Sequence, residues 1–494
     1  MTNALLLAPI FIPLGGAALG ILLARNRTYQ QAIGIVCSIG AWIGSIALLI
    51  GNLDGSIFTY NLGGWAPPYG IVLVADLLAS LFAVMATTVM AAGMLYAVGC
   101  RDKSVSSPAF MPLFLCMAAG LNGVLYTGDI FTMFVFIELM VISSVILVAI
   151  SDNRLGMEAA IKYLFISSMG TLFLLTGIAA LYATFGTLNM ADIARLLASG
   201  ERPVLAQAAA VMLMCAFLLK SAVFPFHFWQ PDFHTTAPTP VGAMLSSIIV
   251  KVGIYGLIRM ITLMFTAEAA LIGNVLVILG IIGIFFGSLG ALRTYDAKRL
   301  LAYSTFGQVG FILVGIGWGS PAALAAALVY AVNHSFIKSS MLMITGVISS
   351  RTMTKTARLT ELGGVGKTMP WVGGLYLVGG LALAGVPPLN GFISKVTLVQ
   401  SGIEAQEWLT LGLVVAAGAL TLLYITRTWQ LIFLQDPDEA LKLKPYGDSV
   451  LAPSLLIALC VTLGVFASPL ISLALRAVEQ MGDPTLYIRA VLGG

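Results

Sequence analysis

Charge is what this sequence has least of. Only 9% of its 494 residues are Asp, Glu, Lys or Arg, against about 25% in a soluble globular domain. That deficit excludes a water-soluble enzyme and leaves no basic patch for a nucleic acid. Histidine occurs three times. The five cysteines (Cys37, Cys100, Cys116, Cys215, Cys460) are scattered without a Cys-x-x-Cys pair. Together these types make no zinc, haem or iron–sulfur pattern, and the cysteines read as small core residues. No Gly-rich phosphate loop follows a strand, so neither a metal nor another cofactor is expected.

What is abundant is apolar sequence, at 59% hydrophobic residues and a mean hydropathy of +1.00. Runs of about 20 apolar residues cross a bilayer as helices. Fourteen such runs occur, at 3–24, 30–52, 70–98, 108–127, 129–151, 157–185, 203–229, 239–263, 268–291, 299–318, 322–349, 369–401, 408–435 and 449–477. Barrel strands would be shorter and alternating, so an all-α polytopic membrane protein is expected. The first run is too long for a signal-peptide core and lacks a basic leader, so it reads as a span.

The basic residues sort by connection. Odd-numbered connections hold Arg25, Arg27, Arg101, Lys103, Arg154, Arg293, Lys298, Arg299, Arg351, Lys355, Arg358, Lys367, Arg427, Lys442 and Lys444. Even-numbered ones hold only Arg195, Arg202 and Arg259. Positive residues stay inside, which predicts cytoplasmic odd connections, both termini outward and a cell (inner) membrane location.

Two spans contain breaks. The seventh is interrupted at Pro225, just after Lys220, and the twelfth at Pro387 and Pro388, just before Lys395. Each broken span is the fourth member of a five-helix unit, and an odd number of spans inverts the second unit. This is the inverted-repeat pattern of ion transporters. The expected organisation is helices one to three (1–107), a first repeat (108–263), an inverted second repeat (268–435), and helix 14 with a tail (449–494).

Ionisable residues at membrane depth are costly and mark ion paths. Glu138 lies mid-span and needs a cation, for which Lys220 is the expected partner; a structural ion pair is the plainer alternative. Lys220 and Lys251 can switch between charged and neutral forms if poorly solvated near a movable carboxylate; the alternative is snorkelling to an interface. His334 and Lys338 are four residues apart on one helix face, and histidine suits a relay. Lys395 follows the second break as an exit-side carrier. His227 and His234 flank the first break and can hand protons to the inner surface. Lys162 lies nearer the inner edge, and Asp76 and Asp129 are lesser candidates.

At these residues the sequence resembles a family. KSAVFPFHFWQPDFHTTAPTPVGAMLSSIIVKVGIYGLIR, ALRTYDAKRLLAYSTFGQVGFI, NHSFIKSSMLMITG and GVPPLNGFISK look like signatures of the antiporter-like subunits shared by respiratory complex I and the multisubunit Mrp cation/proton antiporters. Within that superfamily the stretch YNLGGWAPPYGIVLVADLL and the tail DPTLYIRAVLGG are similar to the D-type members. Phe233 stands where the family usually has alanine. The resemblance implies fourteen helices, two inverted repeats, and proton-path roles for Glu138, Lys220, Lys251, His334, Lys338 and Lys395. It implies a transporter component, not an enzyme by itself, exchanging Na+ for protons beside Mrp partners of the A, B, C, E, F and G types. The alternative it leaves open is a proton-pumping component of a redox complex, an NADH-quinone oxidoreductase or membrane-bound hydrogenase.

Overall fold

A computed structural model describes residues 3–200, 203–353, 355–435 and 443–493. Arg202 and Lys442 of the charge sorting lie outside these residues. The chain is a helical bundle with one two-stranded hairpin, β1 (Phe58–Asn61) antiparallel to β2 (Val72–Ala75). The helices are α1 (Asn3–Leu22), α2 (Arg27–Asn52), α3 (Leu77–Val98), α4 (Phe110–Tyr126), α5 (Ile130–Ala149), α6 (Arg154–Phe185) and α7 (Met190–Leu197). Next come α8 (Val204–Lys220), α9 (Gln230–Thr236), α10 (Thr239–Met264), α11 (Ala269–Arg293), α12 (Ala297–Gly317) and α13 (Pro321–Arg351). The last are α14 (Pro370–Ala384), α15 (Asn390–Glu404), α16 (Trp408–Leu434), α17 (Leu451–Val465), α18 (Ser468–Met481) and α19 (Pro484–Leu492).

Helix starts follow local chemistry. Asp76, Asp129, Asn153, Asn189, Asp296 and Ser320 accept hydrogen bonds from first-turn amides, satisfying donors a helix leaves orphaned. Gly186 ends α6 in the left-handed conformation, at φ 70°, where glycine has no Cβ penalty.

Nine helices among the described residues are long and apolar enough to cross a membrane, or ten if the bent pair α17/α18 counts as one span. The expected fourteen are reached only by adding the short α4, the broken pairs α8/α9 and α14/α15, and α13, which is long enough but polar. One expectation is corrected. The run at 449–477 is not a single straight span: α17 and α18 meet at 78°, with Pro469 in the first turn of α18 starting a new helix. The amphipathic α18 then packs against α3 and α13.

α13 is the axis of the bundle. It is buried from Ala325 to Ser349 and contacts α3, α10, α12, α14, α15, α17 and α18. The outer flanks of α2, α6 and α11 instead expose Val36, Phe165, Leu172, Ile278 and Leu289, an apolar belt suited to lipid. The N-terminal turn packs on β1, and α19 packs on both β1 and α7. Both described chain ends therefore lie on one face.

A second correction concerns Arg259. It is not a connection residue: it sits within α10, buried, with a bidentate pair to Asp76 (Nη1–Oδ2 2.5 Å, Nη2–Oδ1 2.6 Å). Its Nε donates to the Tyr255 hydroxyl at 3.0 Å, and the rings of Tyr255 and Tyr487 lie 5.3 and 5.1 Å from the guanidinium. Removing it from the connections sharpens the basic asymmetry.

Candidate functional site

The first cluster forms where α5, α6 and α8 meet. Glu138 on α5 lies 3.6 Å from Lys220 Nζ, the expected partner. Two α6 residues one turn apart clip this pair: Thr171 donates to Glu138 Oε1 at 2.5 Å, and Ser167 Oγ accepts from Lys220 Nζ at 2.6 Å. Lys220 is the last residue of α8, and the chain leaves the helix through Ala222 at φ 53°. The Lys220 side chain is 4% exposed and that of Glu138 26%. The lysine therefore faces inward while the carboxylate reaches the flank of the bundle.

The second cluster joins α10 to α13. Lys251 Nζ lies 2.7 Å from His334 Nδ1. When Lys251 is an ammonium it has only donors, so Nδ1 accepts and the neutral ring carries its proton on Nε2; when Lys251 is a neutral amine the direction can reverse. Nε2 is buried and has no partner among the described residues. α10 passes through a π-helical stretch, Leu245–Ile249, just before Lys251. Such stretches break the regular hydrogen-bond register and recur at functional sites; here the Ser246 carbonyl accepts from Lys251 Nζ at 3.3 Å. His334 and Lys338 lie one turn apart on α13, as the spacing implies; Lys338 bonds the Leu301 carbonyl at 3.0 Å, and the direct partner of His334 is Lys251.

The third cluster lies at the second break. α14 ends at Ala384, Gly385 turns the chain at φ 84°, and Lys395 Nζ donates to the Ala384 carbonyl at 2.6 Å. Phe311 lies 5.8 Å beneath the ammonium. Side chains that the sequence reading missed form a polar set on the neighbouring helices α12, α13 and α16. Tyr330 donates to Gln308 at 2.6 Å, Gln308 to Thr421 at 3.4 Å, and Ser304 bonds Tyr424 at 2.7 Å. Asn333 and Asn390 bond each other across α13 and α15. Polar residues three or four apart within apolar runs, as in Ser304/Gln308 and Thr421/Tyr424, were the available signal.

Gly385 is required twice: by its positive φ, and because an added Cβ would come within 2.6 Å of Lys395 Cδ. Gly385→Ala is expected to displace Lys395 from the Ala384 carbonyl and to destabilise the chain by about 1–2 kcal/mol, the cost of a Cβ in the left-handed region. Thermal unfolding in detergent checks this.

The remaining candidates divide. His234 is buried against Trp229 and Phe233, with both ring nitrogens unpartnered among the described residues. Phe233 also stacks on Tyr163, with centroids 4.0 Å apart. His227 lies outside the three clusters: its ring stacks on Phe306 and meets Phe286 edge-on in an aromatic cluster. Lys162 is half-exposed and paired with Glu158 (2.6 Å) and Asp232 (3.3 Å), while Arg299 also holds Asp232. It ties α6 to α9 rather than lining the interior. Asp129 caps α5. Asp76 belongs to the Arg259 pair.

Among the described residues, Lys220 is the one central lysine with a carboxylate within 4 Å; Lys251, Lys338 and Lys395 have none. No three His, Cys, Asp or Glu among the described residues form a cation cage.

The profile of the family described as NADH:quinone oxidoreductase/Mrp antiporter, TM, matches residues 127–421. The D-type subunit of the Na+/H+ antiporter of Alkalihalophilus pseudofirmus is 32% identical over 99% of both chains. The N-type subunit of the NADH-quinone oxidoreductase of Desulforudis audaxviator is 33% identical over 87% of this chain and 86% of its own. A chain in the structure of the Mrp complex from a Dietzia species superposes with a TM-score of 0.93, 25% identity and full coverage of both.

Proposed function

Since the chain belongs to the NADH:quinone oxidoreductase/Mrp antiporter transmembrane family and is a D-type antiporter component within it, we propose that it carries protons through the membrane part of a multisubunit Na+/H+ antiporter. The observation that supports this most is the set of interior lysines without carboxylates among the described residues, Lys251 and Lys338 buried and Lys395 half-buried. A fixed charge at bilayer depth costs about 2.5–3.5 kcal/mol even on lenient scales. Three of them would approach the whole stability of an ordinary protein. A set of lysines that exchange a mobile proton, with shared water, avoids holding all those charges at once.

In this reading the Glu138 carboxylate near Lys220 favours the ammonium form, and its movement away favours release. The proton passes to Lys251, whose Nζ–H bond to His334 Nδ1 provides the next transfer, and then by Lys338 and the Gln308/Tyr330/Tyr424 side chains to Lys395. His234 lies between the first break and Lys251 and supplies the inner side. Residues 108–263 and 268–435 act as two inverted units; each turns its broken helix through a positive-φ residue, Ala222 or Gly385. The protein sits in the cell (inner) membrane with fourteen crossings, both termini outward, and partners of the A, B, C, E, F and G types.

The relative from NADH-quinone oxidoreductase supports a second reading, a redox-driven pump. Proteoliposomes holding the purified complex separate the two. A Na+ pulse is expected to drive proton flux with no electron donor present. Flux that requires an electron donor and ignores Na+ would establish the redox reading instead.

A further inference from the structure

On the face that carries the odd-numbered connections, a cavity of about 340 Å³ opens between the start of α12, the connection after α3 and the segment before α17. Its walls carry four cations, Arg101, Lys298, Lys355 and Lys444, and two carboxylates, Asp102 and Asp448. Both carboxylates are already engaged. Asp448 accepts from the Tyr96 hydroxyl (2.7 Å), the Cys100 thiol (3.4 Å) and the Arg101 amide (2.9 Å). Asp102 takes Lys355, at 3.7 Å.

The other three cations have no carboxylate within 4 Å among the described residues. The Arg101 guanidinium lies over the Tyr446 ring at 5.3 Å. Among the described residues, Lys298 reaches the Thr239 hydroxyl and Lys444 the Met353 carbonyl, each at 3.5 Å. Retention of basic residues at the inner surface explains cations that point to water. It does not explain three, from three separate segments, that line one concavity.

We propose that this cavity binds a phosphate group. A phosphate presents several acceptor oxygens and up to two charges to convergent donors, and Arg and Lys are the side chains that meet it. The volume lies at the small end of ligand sites, enough for phosphate with little else buried. The phosphate is supplied either by an anionic lipid headgroup or by a soluble phosphate ion. The site is separate from the proton path and does not rest on it.

The test uses the assembled complex in phosphatidylcholine nanodiscs. One arm titrates inorganic phosphate by calorimetry; the other includes phosphatidylglycerol and counts retained lipid by native mass spectrometry. At least one probe is expected to bind saturably. Lys298→Gln with Lys444→Gln is expected to weaken it tenfold or more, whereas Arg358→Gln, at an exposed site beyond the cavity, leaves it within twofold. Binding of phosphate alone identifies a soluble ligand, binding of phosphatidylglycerol alone a headgroup, and binding of both a site open to either. If the double variant does not assemble, Lys355→Gln with Lys444→Gln, both at the rim, is read in the same way. Saturation by neither probe, or a double variant that binds like the wild type, overturns the proposal.

Discussion

Glu138→Gln and Lys220→Met are each expected to lower cation-driven proton flux by about a hundredfold or more, the scale of a positioned proton-transfer group, while the complex still assembles. The glutamine amide keeps an oxygen for the Thr171 hydroxyl that now bonds Glu138, and the carboxylate site is partly exposed at the flank. The expected loss is thus one of chemistry, not of packing. A methionine in place of Lys220 fills the lysine's volume and removes a buried charge. The double variant is expected to transport no worse than either single one, because two members of one unit are not additive. Fluorescence of a pH-sensitive dye in everted vesicles, normalised to the amount of complex, checks this. Flux near the wild-type level in either single variant would remove the pair from the path.

Asp76→Asn is expected to do the reverse. It strands the buried Arg259 guanidinium, and breaking a buried pair from one side costs about 3–5 kcal/mol. The chain should unfold at a clearly lower temperature or assemble poorly, yet transport normally per assembled complex. Asparagine still caps α3, where Asp76 now accepts from the Ala79 amide at 2.8 Å, so the loss isolates the ion pair. Replacing both partners, Asp76→Leu with Arg259→Met, is expected to recover much of the stability, since apolar isosteres of buried pairs are often neutral. Thermal unfolding of the three forms in detergent decides it. A single variant as stable as the wild type would show that the pair is not what joins α3, α10 and α19.

The contrast between these two variants also marks how far sequence could reach. Helix positions follow from apolar run length, and the breaks from Pro225 and the Pro387–Pro388 pair, because both signals are local. The pairing of Glu138 with Lys220 was legible because a lone carboxylate at that depth demands a cation and few exist. The pairing of Lys251 with His334 was not, since 83 residues separate them and the rotation of each helix, including the π-helical stretch, decides which side chains meet. Arg259 was misplaced for a related reason: a cation near the end of an apolar run reads as an interface residue unless its distant carboxylate is known. Ser167 and Thr171 escaped notice because hydroxyls cost little in an apolar run and leave hydropathy almost unchanged. The bend between α17 and α18 was hidden because both halves are apolar enough to read as one crossing.

Lys251 offers the sharpest measurement. Its only side-chain partner among the described residues is a histidine, so packing and proton exchange can be separated by what replaces it. The pH profile of Na+-driven proton flux should be recorded for the wild-type complex, Lys251→Met and Lys251→His. Methionine is expected to abolish flux. Histidine is expected to restore part of it with an optimum at lower pH, because imidazole titrates about four units below an unperturbed ammonium. Wild-type flux from the methionine variant, with an unchanged pH profile, would contradict a proton carried along this line of side chains.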